Sequence, residues 1–292
     1  MPLKHPVIAT DFSKYAEYAL QRAISLAERH HISLHFVHVL PQPSVSFGPY
    51  STREQQNDIR SLEKDTLDKL SSLIKKYSTN ISVDLSVLAG RAADEIIQYT
   101  EQNQGNLIIL GAHGQYYIDE HVLGTTSSDI LGEGNTPVLL IKTEPSFSYS
   151  RILIATDFSK PSKKAIEFTF QCFPEARFQL LHVVDIFNSQ QLNGDAVGTL
   201  KSKIDHDESK NIMAQLDHFL KECHVKQDQF EKKIMGGYLA DTINLQSKNW
   251  KADLLAFGTQ GHSKLHYLLM GSVAKRLLQL SNVDMLAVPP PA

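Results

Sequence analysis

The chain has 292 residues, of which 42% are hydrophobic and 21% are charged, and its formal net charge at pH 7 is −3. This length is enough for about two domains of ordinary size, and the composition is that of globular proteins, which excludes disordered and collagen-like chains. Because positive charge is not in excess, no overall electrostatic field attracts nucleic acid or an anionic membrane.

The cysteines and the apolar runs indicate where such a chain resides. Cys172 and Cys223 are the only two cysteines, and they provide neither a metal-ligand spacing nor a disulfide framework. The N-terminal residues before Asp11 lack the apolar segment of a signal peptide, and runs such as residues 138–141 are too short to span a bilayer. We therefore expect a soluble cytoplasmic protein without a metal site that binds neither nucleic acid nor membrane.

The sequence contains an internal repeat. Residues 9–14 and residues 155–160 both read Ala-Thr-Asp-Phe-Ser-Lys. Other matches keep nearly the same spacing, since His38-Val39 returns as His182-Val183 and several glycines recur. Repetition of this kind indicates a duplicated unit. We predict one domain over residues 1–144 and a second over residues 149–292, joined by a short polar linker near residues 143–146.

Within each copy, short apolar runs alternate with longer amphipathic stretches. In the first copy, a strand over residues 6–10 precedes a helix capped by Ser13, whose apolar residues recur at helical spacing. The elements predicted after this helix are strands at about 32–40, 81–88, 107–110 and 137–141, and helices at about 53–77 and 92–103, with one more helix before the last strand. The second copy repeats the series from a strand at residue 151 to a strand over residues 284–288.

This alternation predicts the fold class. Strands separated by helices imply right-handed crossovers and a parallel sheet, and nearly continuous apolar strands imply helices on both faces. We therefore predict an α/β chain of two doubly wound domains. In such sheets ligands bind beyond the carboxyl ends of the strands. Asp11 and Asp157 follow the first strands and the glycine-rich loops follow the fourth, so these residues should meet in one crevice per copy.

The glycine pattern of the second copy is the main candidate for ligand binding. Gly258 and Gly261 are followed after nine residues by Gly271 and Ser272. Glycines let a backbone turn tightly and approach a ligand, and a helix that begins at Gly271-Ser272 would direct free N–H groups at an anion. The pattern is neither a Walker A loop nor the dinucleotide-binding Gly-x-Gly-x-x-Gly. It predicts a phosphate-binding loop.

Together with the Ala-Thr-Asp-Phe-Ser strand ends and the His-Val pairs, this spacing resembles the nucleotide loop of the universal stress protein family, and the resemblance covers nearly the whole chain twice. It implies a five-stranded parallel sheet of order 3-2-1-4-5 in each copy, final strands that pair across a dimer interface, and bound ATP, with or without Mg²⁺. We accordingly expect the copies to form an intramolecular pseudo-dimer through residues 137–142 and 283–289, and a further homodimer is left open.

The resemblance also implies roles for residues of the second copy. Asp157 should meet the adenosine end, and the Val183 backbone should bond the adenine edge. The contacts implied for the ribose and phosphates are Gly258, Gly261, Gly271 and Ser272, with Val273 alongside. His262 and Lys264 lie inside the loop and could add positive charge there, or could simply be solvated. Asp157 could also act as a helix cap, a role compatible with ligand contact.

The first copy has the corresponding positions Asp11, Val39, Gly111, Gly114, Gly124 and Thr125. Its loop, however, contains Asp119 and Glu120, whose charges repel a triphosphate unless Mg²⁺ bridges them. We therefore expect the main site in the C-terminal domain and leave the ligand of the first domain unassigned. The polar insertion over residues 188–203 is expected to be a loose loop, with a lid over the second site as the alternative.

Three functions remain open at this point. The first is a nucleotide-binding regulatory module of the stress response, whose output is a conformational or partner change. The second is a slow ATPase on the same crevice; without a recognisable base, arginine finger or metal carboxylate set in the second copy, fast turnover is not expected. The third is a scaffold that binds a partner or a small apolar ligand without nucleotide.

Overall fold

A computed structural model describes residues 3–41, 53–77, 80–114, 123–145, 148–185, 206–261 and 270–291. The first half contains β1 (Val7–Ala9), α1 (Lys14–His30), β2 (Leu34–Leu40), α2 (Arg53–Lys76), β3 (Val83–Ala89), α3 (Ala92–Gln102), β4 (Ile108–Gly111), α4 (Thr125–Glu133) and β5 (Val138–Ile141). The second half contains β6 (Arg151–Thr156), α5 (Lys160–Cys172), β7 (Arg177–Asp185), α6 (His206–Glu222), β8 (Phe230–Gly237), α7 (Leu239–Asn249), β9 (Leu254–Gly258), α8 (Ser272–Leu280) and β10 (Asp284–Val288).

All ten strands belong to one sheet, in the order β3-β2-β1-β4-β5-β10-β9-β6-β7-β8. Pairing is parallel inside each half, which confirms the predicted order 3-2-1-4-5. Where the halves meet, β5 and β10 pair antiparallel, with Leu140 opposite Met285 and Leu139 opposite Leu286. The expected pairing of the last strands is therefore present within one chain.

Two hydrophobic cores lie on opposite faces of this sheet. One core contains Leu20 of α1, Leu70 of α2 and residues of α5 and α6. The other contains Ile96 of α3, Ile130 of α4 and residues of α7 and α8. Successive residues of a strand point to opposite faces, so Val7 joins one core and Ile8 the other. This two-sided burial is what near-continuous apolar strands predict.

The ends of α1 follow from local chemistry. The Ser13 hydroxyl accepts a hydrogen bond from the Ala16 N–H at 3.2 Å, as the predicted cap requires. At the other end His31 adopts a left-handed φ of 52°, and the Ile32 N–H bonds back to the Ala27 carbonyl. Because this closing turn includes Ile32, where β2 was predicted to begin, the strand starts at Leu34 instead.

Within the described segments, none of the helices is both long and apolar enough to cross a membrane.

Candidate functional site

A tight turn after β6 fixes the direction of Asp157. Phe158 has a left-handed φ of 64°, and its N–H donates to the Thr156 hydroxyl at 3.1 Å. The Ser159 N–H donates to Asp157 Oδ1 at 3.0 Å, and the Ser159 hydroxyl also bonds this oxygen. Since a left-handed non-glycine residue is strained, these bonds hold a turn that the chain would not adopt alone. The Ser159 contacts thereby hold Oδ1 of the Asp157 carboxylate.

The same turn follows β1. Phe12 has a φ of 61° and donates its N–H to the Thr10 hydroxyl at 2.9 Å. The Ser13 N–H donates to Asp11 Oδ1 at 3.0 Å. The repeated Thr-Asp-Phe-Ser sequence therefore encodes one backbone conformation twice.

A histidine bonds the backbone of each turn. The sequence indicated this residue only as part of the His-Val motif. Nδ1 of His182 lies 2.9 Å from the Thr156 carbonyl oxygen, and its ring packs on Phe158 with centroids 4.6 Å apart. His38 repeats both contacts, at 2.7 Å and 4.7 Å. Burial lowers the pKa of His182, so its ring is neutral near pH 7 and Nδ1 carries the donated proton.

Among the described residues, the backbone beyond each histidine has no strand neighbour on one side. The Val37 carbonyl accepts the Thr10 N–H at 3.0 Å, so the backbone groups of Val37 face β1. Groups two residues apart in a strand face the same side, and Val39 therefore also faces β1, which has already ended. Ala155 pairs with Leu181 as Ala9 pairs with Val37, so Val183 has the corresponding orientation in the second copy.

Gly111 and Gly258 are required for packing between elements. A Cβ at Gly258 would lie 2.9 Å from the backbone carbon of Pro161, in the first turn of α5. A Cβ at Gly111 would lie 2.7 Å from the backbone carbon of Tyr15 in α1. The absence of a side chain lets each helix start close to the end of β4 or β9. Ligand approach is not needed to explain either glycine.

Gly114 and Gly261 bring the loop against the aspartates. A Cβ at Gly261 would lie 2.6 Å from Asp157 Oδ2, and a Cβ at Gly114 would lie 3.0 Å from Asp11 Oδ2. The first residues of each glycine loop and the carboxylate of the same copy therefore lie side by side beyond the carboxyl ends of the strands. The convergence predicted from sheet topology is observed.

Gly124 and Gly271 occupy the N-cap positions of α4 and α8, where no side-chain cap is found. The Gly271 N–H donates to the Thr259 carbonyl at 2.8 Å, so this amide is used by the loop itself. The N–H groups of the residues that follow, Ser272 and Val273, have no acceptor within the helix. α1 and α5, by contrast, begin with serine caps. α3 and α7 also begin without a side-chain cap, but the helices that follow the glycine loops are α4 and α8, so the candidate anion-binding amides are those of the first turn of α8, and of α4 after Gly124.

The surroundings of these two helix starts differ in charge. In the first copy Arg91 bonds Asp94 at 2.7 Å and Asp129 at 2.8 Å, and so links α3 to the second turn of α4. In the second copy the link is reversed, because Arg276 of α8 lies 3.4 Å from Asp241 of α7. The N-terminal half of α8 thus carries a cation paired with Asp241, where α4 carries an anion paired with Arg91.

Other predicted features lie outside the described residues. These are His262 and Lys264, Asp119 and Glu120, and the insertion over residues 188–203.

Comparisons with known proteins agree with the duplicated fold. The sequence pattern of the Universal stress protein family matches residues 3–142 and 148–289. A universal stress protein of Methanocaldococcus jannaschii is 24% identical over 141 residues, which cover 48% of this chain and 82% of that protein. The crystal structure of a universal stress protein from Archaeoglobus fulgidus superposes with a TM-score of 0.69 at 15% identity and covers 98% of both chains. A functionally unknown protein from Pseudomonas aeruginosa superposes with a TM-score of 0.66 at 16% identity, covering 99% of this chain and 93% of that one.

Proposed function

Because the chain belongs to the universal stress protein family, we propose that it is a regulatory binding module of the stress response that binds ATP in the crevice of its C-terminal copy. The observation that carries this proposal is the start of α8. Its first turn has no side-chain cap, and it follows a loop that lies against the Asp157 carboxylate.

The phosphates belong at the first turn of α8. The N–H groups of Ser272 and Val273 and the positive end of the helix dipole favour negative charge, and the Ser272 hydroxyl adds a donor. Among the described residues, a Cβ at Gly271 would meet only the Thr259 carbonyl oxygen, at 3.5 Å, which is an ordinary contact distance. Mg²⁺ that accompanies ATP is held mainly by phosphate oxygens and water.

The ribose belongs at Asp157. An ionised carboxylate only accepts hydrogen bonds, so it suits the hydroxyl donors of a sugar and repels phosphate. Oδ1 of Asp157 is engaged by Ser159, whereas Oδ2 faces the loop at Gly261. This arrangement orients the nucleotide with its sugar at the end of β6 and its phosphates at α8.

The adenine edge belongs at Val183. An adenine presents a ring nitrogen that accepts and an amino group that donates, and one residue's backbone N–H and C=O can complement this pair. The orientation of Val183 toward the side where β6 has ended supports such a contact. His182 contributes indirectly, because it bonds the Thr156 carbonyl at the strand end.

We propose the same arrangement of binding positions for the first copy. We place the first copy at residues 1–144 and the second at residues 149–292. Asp11, Val39, Gly114, Gly124 and Thr125 take the corresponding positions. Asp129 in α4 makes this crevice less favourable for a triphosphate than the crevice beside Arg276.

Isothermal titration of the full chain with Mg-ATP tests the proposal. Gly271→Val should abolish the main binding event, since its side chain would occupy the space beside the helix start where we place the phosphates. Gly124→Val is the matched control, because among the described residues its Cβ would likewise meet only backbone atoms at ordinary contact distances, the Ala112 oxygen at 3.6 Å and the Gly114 nitrogen at 3.8 Å. The control should retain that binding event. Wild-type protein without affinity for ATP, or a Gly271→Val variant with unchanged affinity, would overturn the assignment.

Two further measurements separate the alternatives. Steady-state hydrolysis at a rate typical of kinases would replace the binding-module proposal with an enzyme. Mass spectrometry of the ligand released from the purified protein would reveal a non-nucleotide occupant.

A further inference from the structure

One end of the β5–β10 ladder contains a buried ionic junction. Asp284, the first residue of β10, is 0% exposed. Its Oδ1 accepts hydrogen bonds from the backbone N–H groups of Lys142 and Thr143 at 2.8 and 2.9 Å, and from the Thr143 hydroxyl at 2.9 Å. Its Oδ2 accepts the Tyr149 hydroxyl at 2.5 Å and lies 3.4 Å from Arg22 Nε. A carboxylate of the second half is thus satisfied by donors that precede that half's first strand.

Lys142 crosses the junction in the other direction. Its ammonium group donates to the carbonyls of Leu278 and Ser281, both at 2.7 Å, at the end of α8. Burial lowers the pKa of Lys142 to about 8 despite the nearby Asp284 carboxylate. Arg22 in turn packs over the Tyr149 ring at 4.2 Å. The charged groups of Asp284, Lys142 and Arg22 are therefore each stabilised by contacts with other residues of the junction.

The β5–β10 ladder has a second end, opposite the junction, where the equivalent residues of the repeat can be compared. Antiparallel pairing of Leu140 with Met285 and of Val138 with Ala287 relates the two strands by a pseudo-twofold axis. Under this relation Asp284 corresponds to Pro137, Lys142 to Pro289 and Arg22 to Phe168. The positions that hold three charged groups at one end hold two prolines and a phenylalanine at the other.

From this one-sided junction we infer that the β5 and β10 pairing surfaces are selective, so that each accepts the other copy of the repeat and rejects a second copy of itself. If β10 paired with β10 of another chain, Asp284 would face proline and phenylalanine in place of Lys142 and Arg22. If β5 paired with β5, Lys142 and Arg22 would share an interface without a carboxylate. A buried charge without its partner is strongly unfavourable, so both self-pairings are disfavoured while the mixed pairing is satisfied.

The selectivity is independent of nucleotide binding, and it can be measured after the linker of the folded chain is cut. A protease site between Pro145 and Ser148 yields two fragments held by the sheet. After incubation in mild denaturant to allow exchange, native mass spectrometry distinguishes the mixed pair from the two self-pairs by mass. Wild-type fragments should favour the mixed pair over self-pairs by about a hundredfold or more.

Variants locate the cause. The triple change Arg22→Phe, Lys142→Pro and Asp284→Pro gives the junction the residues of the opposite end, and self-pairs should then form. Lys142→Met with Asp284→Asn is a milder second variant that should relax sorting in the same direction. Asp253→Asn is the control, because its carboxylate accepts the Ser150 and Arg151 N–H groups at 2.8 and 3.1 Å outside the junction, and sorting should stay strict. Wild-type fragments that re-sort at random, or junction variants that sort as strictly as the wild type, would overturn the inference.

Discussion

Gly258 ends β9 and Gly271 precedes α8, and the structure predicts that alanine lowers stability at the first position but not at the second. A Cβ at Gly258 would lie 2.9 Å from the backbone carbon and Cβ of Pro161 and from the backbone nitrogen of Ser162. These atoms belong to the first turn of α5, so no side-chain rotation relieves the clash and the helix must move. At Gly271 the φ of −59° suits alanine, and the nearest atom of the described residues, the Thr259 oxygen, would lie 3.5 Å from an added Cβ.

The magnitudes separate the two variants. Forcing atoms into a packed site costs about 1–3 kcal/mol, which we expect for Gly258→Ala. For Gly271→Ala, the lower entropy of the unfolded chain contributes about 0.4–1 kcal/mol of stability and offsets a similar loss from alanine at an N-cap. The free energy of unfolding should therefore fall in the first variant and stay close to the wild-type value in the second.

Denaturant unfolding monitored by circular dichroism checks this difference. The first copy supplies an internal replicate, since Gly111→Ala should behave like Gly258→Ala and Gly124→Ala like Gly271→Ala. Equal stability of the Gly258→Ala and Gly271→Ala variants would refute the reasoning that Gly258 serves helix packing.

Other predictions concern the charges, a cap and the response to acid. Asp284→Asn should lower the free energy of unfolding by about 3–5 kcal/mol, because Arg22 and Lys142 lose their buried counter-charge; a loss no larger than that of Asp253→Asn in the same urea titration would contradict it. Ser159→Ala should cost about 1 kcal/mol by removing the cap of α5, and Ser159→Gly only a few tenths, as thermal unfolding can compare; equal losses would argue against the cap. Burial lowers the pKa of His182 below its ordinary value of 6.5, so the unfolded chain binds more protons and the stability from this group, complete above about pH 6.5, falls as the pH decreases. Urea unfolding between about pH 7 and pH 5 should show a shallower decline in His182→Gln, while His35, whose pKa burial also lowers, keeps its share; an unchanged slope would exclude His182 as a source.

The repeat and the alternation of strands and helices were sufficient to predict the fold class, and the family resemblance supplied the strand order. Sequence periodicity could not separate the roles of the glycines. Gly258 packs on α5, Gly261 lies against Asp157 and Gly271 starts α8, and each role depends on a neighbour distant in the sequence.

The linker was the least predictable segment. Its polar residues suggested a simple spacer, yet Thr143 is bonded to Asp284, 141 positions further along the chain. The signal available in the sequence was Asp284 itself, a charged residue at the start of a strand that is otherwise apolar.

α8 lies in the second half, but its C-terminal end is contacted by a residue of the first half. The first turn of α8 adjoins the Asp157 crevice. The carbonyls at its other end accept hydrogen bonds from the ammonium group of Lys142, which belongs to the first half. Nine helical residues span only about 13 Å. If a ligand at the first turn shifted α8, the carbonyls bonded by Lys142 would shift with it, which would link the second crevice to the residue that follows β5.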